Sequence, residues 1–443
     1  MQRKAIVGGT LIDGSGRPPI EKATILLNKN RVDAIFRAGE CKLPKDTQII
    51  NADGGYVIPG LIDCHVHVGV LADNSFMSVD DPAALTDFFM RSLISHGITT
   101  VRDTGNFDPI SIYPQMKRSR PNWPRFFGAG TILEGPSEGP APWRWMATIS
   151  DEASARRETR KVIEQGLDFV KLYIWVRLPE MRAAISEAHA AGVRVAAHVG
   201  HRVTAGEAIN AGIDALEHIR IGRELLTNDG LIALKKLPGR SLDALVDFRA
   251  WRYIDPNGTL AKNWIDRAAE RGTFITPTLT LSRSILKGNS KDVMQPEGGE
   301  EIPLEIRNQW NQYAYSQDYS EEDWKSAPRE FENQLEFIGI AKEAGVKITA
   351  GTDLANPFIM PGRSLHDEIT MLVENCGFSP IDALRASSEK GAELLGQADD
   401  LGIIEKRKIA DLLILDKNPL ENIRNTRCIR TVIKDGEVVN RTI

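Results

Sequence analysis

Eight short runs of apolar and β-branched residues recur through the middle of the chain, separated by segments of helical pattern: LIDCHVHV, GITTVRDTG, RFFGAGTIL, DFVKLYIW, VRVAAHVG, DALEHI, GTFITPTLTL and VKITAGTD. A strand that is apolar on both faces has to be covered on both, and parallel strands joined by crossover helices achieve this. Two of the intervening segments, EASARRETRKVIEQG and PEMRAAISEAHAAG, end on the glycine expected just beyond a helix C-terminus. Eight strand–helix units over about 300 residues match the closed (β/α)8 TIM barrel. The competing open, doubly wound sheet calls for a glycine-rich phosphate turn after its first strand, and none follows LIDCHVHV.

The two ends read differently. Residues 1–57 alternate short β-rich pieces with turn signals (KAIVGGTLIDGSG, ATILLNKNRVDAIF, TQIINADGGYVI), and residues 398–443 do the same with DLLILDKNP and TVIKDGEVVN. The expectation is one small β-sandwich domain built from both termini, with the barrel occupying 58–397. The span 222–335 is mostly helical in pattern and longer than two barrel units need. It is expected to be an insertion that serves as a cap or as a surface between copies of the chain in a homo-oligomer.

The 443 residues are 42% hydrophobic and 26% charged, an ordinary globular balance. A formal net charge of -5, with no basic run, gives no electrostatic footprint for nucleic acid. No apolar stretch approaches the length of a membrane span, and the glycine-broken start MQRKAIVGGTLIDGSG does not make a secretory signal. Cys41, Cys64, Cys376 and Cys428 show no spacing pattern and read as reduced thiols, so the expected compartment is the cytoplasm and the expected partner a small-molecule substrate.

Chemistry in such barrels sits where the strands end, at the C-terminal mouth. The polar residues at those ends are His65 and His67 on the first run, Lys171 on the fourth, His198 on the fifth, His218 on the sixth and Asp353 on the eighth. Side chains alternate along a strand, so His65 and His67 share a face while Cys64 and Val66 point away, which excludes Cys64 as a ligand. Neutral imidazoles and a carboxylate suit zinc and its neighbours. Lys171 has no lone pair while protonated. Desolvation beside cations lowers its pKa, and the neutral amine then adds carbon dioxide to give a carbamate whose two oxygens bridge two ions. The alternative is an ordinary lysine paired with an acid.

The strings PGLIDCHVHV, FVKLY, AAHV, EHI and AGTD resemble the amidohydrolase superfamily. The tail RSLHDEI, SPIDALRASSEKGAELLG and LGIIEKRKIADLLILDKNPLENIR is similar to its imidazolonepropionase-like and prolidase-like branch. The resemblance implies two divalent ions, zinc first among them: His65, His67 and Asp353 on the more buried one, His198 and His218 on the other, and carboxylated Lys171 between them. It also implies that Asp353 takes the proton of the attacking water and passes it to the leaving nitrogen. Where relatives of this branch often carry an aromatic residue after the fifth-strand ligand, this chain reads HVGHR, and His201 takes that place. His366 resembles a position kept near the active site, with a structural role at a helix start as the alternative. His96 and His189 read as surface or packing residues.

Beyond the strand ends, Tyr173, Trp175, Arg177, Arg220, Trp143, Arg144, Trp145, Phe358 and Met360 are expected to line the mouth. Aromatic walls with arginines suit an acyl compound carrying a carboxylate, because a guanidinium matches a carboxylate bidentately and planar groups stack on tryptophan. The expected activity is hydrolysis of the amide bond of an N-acyl amino acid or dipeptide. A hydrolase of cyclic amides, or of carbamate- or urea-type bonds, is the alternative within the fold, and a catalytically silent scaffold the alternative outside enzymology.

Overall fold

The computed structural model describes residues 3–69, 80–136, 144–200, 202–236, 248–313 and 319–440. The barrel strands are Leu61–Val66, Ile98–Asp103, Arg125–Gly128, Phe169–Leu172, Arg194–Ala197, Ala215–Glu217, Phe274–Thr276 and Lys347–Ile348. The third resumes as Ile132–Glu134 after a short break and pairs with the fourth there. Every neighbouring pair is parallel. The ring closes through backbone hydrogen bonds between the eighth and first strands: Cys64 N to Ala350 O at 3.0 Å, Asp353 N to His65 O at 2.8 Å and His67 N to Leu354 O at 2.6 Å. Two candidate ligands, His65 and Asp353, are therefore joined by one of the three bonds that close the barrel.

The helices lie where the caps put them. Glu152–Glu164 starts on the Asp151 capping box, and Leu178–Ala190 carries a proline in its first turn. Both stop before a glycine in the left-handed region, Gly166 at φ 72° and Gly192 at φ 71°. One expected strand is cut short. In GTFITPTLTL the strand ends at Thr276, and Leu279–Leu286 is helical. Pro277 offers no N–H to a ladder, and the N–H groups of Leu279 and Thr280 are taken by the carboxylate of Glu368 at 2.9 and 2.8 Å.

The described residues of 222–335 are mostly helical and are divided by the seventh strand. Thr259–Arg271 and Glu321–Glu343 lead into the seventh and eighth strands as barrel helices, so the added material comes in two pieces around them. One piece is clamped by buried charge: Asp323 accepts from Arg249 Nε and Nη2, each at 2.9 Å, and from Arg252 Nη2 at 3.0 Å.

Strands from both ends of the chain form two further sheets. One is four-stranded, from residues 4–51; the other is five-stranded and places Leu412–Leu415 between Tyr56–Pro59 and Ile429–Lys434. Ile6, Ile25 and Val32 of the first share an apolar cluster with Val57, Leu412 and Ile433 of the second. The chain passes from Pro59 through Gly60 straight into the first barrel strand. A β-carbon on Gly60 would sit 2.2 Å from Thr99 Oγ1, so only glycine lets the first strand lie this close to the second.

A candidate metal centre at the barrel mouth

The first, sixth and eighth strands bring His65, His218 and Asp353 together with ligand atoms all within 4.8 Å of one another. Three imidazole Nε2 atoms face one carboxylate: His65 and His67 are each 3.4 Å from Asp353 Oδ1, and His218 is 3.8 Å from Oδ2. Behind each ring the other nitrogen is engaged. His65 Nδ1 lies 2.6 Å from Glu217 Oε2, His67 Nδ1 donates to Gly105 O at 3.1 Å, and His218 Nδ1 lies 2.7 Å from Thr278 Oγ1. His65 and His218, anchored through Nδ1, present Nε2 forward, the arrangement of histidines that bind metal, while His67 Nε2 also lies 3.1 Å from Thr104 Oγ1. His198 stands one step out, its ring centroid 4.6 Å from that of His218.

His218, Asp353 and Thr278 have φ of 64°, 62° and 49°. Left-handed backbone at a non-glycine residue is costly and clusters at functional sites. The strand ends are over-determined by their hydrogen bonds, such as His218 N to Thr276 O at 2.8 Å.

Burial holds His198 well below the usual imidazole range, with Arg220 and His218 adding to it. His218 is held low by burial even against Asp353, and His65 is lowered by burial against Asp353 and Glu217. These rings are neutral and keep the lone pair a cation needs. His67 goes the other way: burial lowers it, but contact with Asp353 more than compensates. Burial would raise the Asp353 carboxyl, yet His65, His67 and His218 bring it below the usual carboxylate range. Burial pushes the Lys171 ammonium down to about 8, with Glu217 opposing and Arg102 adding to the effect.

Two buried atoms in this cluster, Asp353 Oδ1 and His198 Nε2, have no hydrogen-bond partner. Buried polar atoms without partners are rare in folded proteins. Neutral nitrogens and an ionised carboxylate aimed at one another fit a divalent cation.

The outer residues are distributed less simply. The Tyr173 ring packs edge-on to His198 at 4.9 Å. Arg220 is close enough for its charge to act on both His198 and His218, and its guanidinium lies 5.2 Å from the Phe248 ring. Trp175 carries the Arg202 guanidinium over its ring at 5.3 Å. Arg177 is held locally by Glu180 and the Ser150 carbonyl, so its charge is already paired beside its own helix. Phe358 packs on Trp310 at 5.3 Å and lines a cavity of about 650 Å³ with Met294 and Arg307, a lining that includes none of the six ligand positions. Trp145 is half-buried under the Arg144 guanidinium at 5.2 Å, and Met360 is buried. His201 and Trp143 lie outside the described residues. His366 is structural in its contacts, bridging Thr426 Oγ1 and His96 O, each at 2.9 Å.

Glu217, Arg102, Thr278 and Glu134 do not stand out in sequence, although each belongs to the site's surroundings. Glu134 is a buried carboxyl at the end of the third strand, raised by burial to about 7, accepting from the N–H groups of Gly135 and Trp175 at 2.8 and 2.7 Å. The available signal was a lone charge inside an apolar strand, as in TTVRD, TILEG and DALEH.

A family model described as the amidohydrolase family matches residues 56–439. The ochratoxinase of Aspergillus niger is 23% identical over 484 aligned positions, covering 98% of this chain and 86% of that protein. A crystal structure of a Xaa-Pro dipeptidase with bound methionine in the active site superposes with a TM-score of 0.70 at 23% identity over 99% of both chains. A prolidase complexed with N-methylphosphonate-L-proline superposes with a TM-score of 0.71 at 22% identity over 100% of both. At these identities the two structures show a shared fold. No helix among the described residues is long and apolar enough to cross a membrane. The chain belongs to the amidohydrolase family and is a hydrolase acting on C–N bonds.

Proposed function

We propose that the chain hydrolyses the amide bond of small N-acyl amino acids or dipeptides, in the manner of a carboxypeptidase or prolidase. In this reading two divalent ions, zinc first among them, are held by His65, His67, His198, His218, Asp353 and a carboxylated Lys171. The observation that carries the reading is the convergence of His65, His218 and Asp353, whose ligand atoms lie within 4.8 Å of one another, with the buried His198 Nε2 making no hydrogen bond beside them. Divalent ions there supply Lewis acidity toward the scissile carbonyl and make a neighbouring water more acidic.

The protein's own groups do the rest. Asp353, ionised among three imidazoles, accepts the proton of the attacking water at Oδ1 and delivers it to the leaving nitrogen. Lys171, with its ammonium pushed down to about 8, keeps a share of neutral amine near neutral pH, the form that adds carbon dioxide. Arg220, whose charge reaches His198 and His218, takes the substrate carboxylate, and Tyr173 borders the acyl group. The names of similar proteins, a Xaa-Pro dipeptidase and a prolidase bound to a proline derivative, support a substrate of dipeptide size with a free carboxylate.

A panel of matched compounds tests the reading. N-acyl amino acids or dipeptides with a hydrophobic residue should be turned over better than their C-terminal amides, because a charge-assisted contact is worth about 1.5–3 kcal/mol, roughly ten- to a hundredfold in kcat/KM. Preference for lactams, or for neutral carbamates and ureas, would refute it in favour of the ring or carbamate alternatives.

A further inference from the structure

Beneath the proposed ligands, inside the barrel, two opposite charges on different strands meet. Glu217 ends the sixth strand and is 1% exposed; Arg102 lies on the second strand and is 2% exposed. Arg102 Nη1 donates to Glu217 Oε1 at 2.8 Å and to Cys64 O at 3.0 Å. Its guanidinium lies over the Phe169 ring at 4.1 Å. The second carboxylate oxygen, Oε2, is the one 2.6 Å from His65 Nδ1. Arg102 thus touches the residue before His65, the residue before His218, and an aromatic two positions before Lys171.

We infer that Arg102 and Glu217 act together as positioning residues for the metal centre, the arginine fixing the carboxylate and the carboxylate fixing the ring of His65. A carboxylate held from one side by a guanidinium has one oxygen left to direct, and here it directs it at Nδ1. That bond sets the ring's rotation and places its hydrogen on Nδ1, so the lone pair of Nε2 faces Asp353. Neither residue reaches the mouth. Arg102 instead borders a cavity of about 230 Å³ lined also by Phe169, Arg194 and Ala196. Phe169 and Arg194 begin the fourth and fifth strands, so this cavity lies at the end of the barrel opposite the mouth.

The inference rests on the metal-centre reading, and the test separates the two. Zinc affinity of the full-length protein is measured by competition with a chromophoric chelator for the wild type, His65→Ala, Glu217→Gln and Arg102→Ala, with circular dichroism and thermal melts of each metal-free protein. Glu217→Gln should weaken the ion held by His65 roughly ten- to a hundredfold, the usual cost of losing such a partner. Arg102→Ala should do the same, and millimolar guanidinium, entering by the lower cavity, should restore affinity toward the wild-type value. A merely structural arginine would give no such rescue of zinc affinity. A folded Glu217→Gln protein that binds zinc as tightly as wild type, while His65→Ala does not, overturns the inference and leaves the metal centre standing. If Glu217→Gln does not fold, the Arg102→Ala arm decides, and unchanged affinity with or without guanidinium overturns the proposal. A wild type that takes up no zinc refutes the metal centre itself and the positioning role with it.

Discussion

Asp353→Asn is the substitution that separates proton transfer from architecture. The residue sits at φ 62°, in the left-handed region, which asparagine visits more readily than other side-chain-bearing residues. Its backbone contacts, N–H to His65 O at 2.8 Å and carbonyl to Asn356 N at 3.1 Å, do not depend on the side chain. The amide also occupies the carboxylate's volume, so packing is kept and the folding energy at stake is that of the lost charge among His65, His67 and His218. The variant loses the negative charge 3.4 Å from His65 and His67, and with it the atom that accepts the proton. A positioned general base contributes about 10²–10⁴-fold, or roughly 3–5 kcal/mol of barrier. Steady-state kcat at saturating substrate should fall by that factor while the circular dichroism spectrum stays that of wild type. Metal content has to be measured on the same samples. A kcat within tenfold of wild type at full occupancy would refute the proton-transfer role. A loss strictly proportional to missing metal would make Asp353 a ligand and nothing more. Alanine is the poorer probe, because it adds a left-handed backbone cost of about 1–2 kcal/mol to the chemical effect.

Lys171→Ala should lose metal and activity together, and a small carboxylic acid should restore part of both by standing in for the carbamate, whereas Lys171→Arg should not; full activity of either variant ends the bridging role. In the metal-free protein the folded-state Lys171 titrates at about 8, against about 10.4 for an unfolded lysine. The unfolded chain therefore binds more protons between these values, stability rises with pH across that window, and thermal melts of Lys171→Met should lack this rise. Gly351→Ala places a methyl 2.5 Å from Thr276 Cγ2 and 2.9 Å from the backbone nitrogen of His65. It should cost about 1–3 kcal/mol by overpacking and weaken metal binding, as read by denaturant unfolding and zinc titration; unchanged zinc affinity would show that the first strand absorbs the displacement.

The parts of this protein written in local pattern were legible from the chain alone. Strand runs, helix caps and C-terminal glycines report on neighbours a few residues away, and they give the eight-stranded barrel and the two flanking groups of strands. The candidate ligands were visible because a strand end is a local feature, and polar residues there stand out against apolar runs. Arg177 shows the limit of this reading even locally: its position beyond a strand end suggested the mouth, but Glu180, three residues on, holds its guanidinium. Contacts between distant segments had no local signature. Glu368 turns TLTL into a helix start across 89 residues, and Glu217 meets Arg102 across 115 residues and His65 across 152. A charge inside an apolar strand must find a partner once buried, or its desolvation is uncompensated. The sequence shows that such a partner is needed, and only the closed ring of strands decides which one it is.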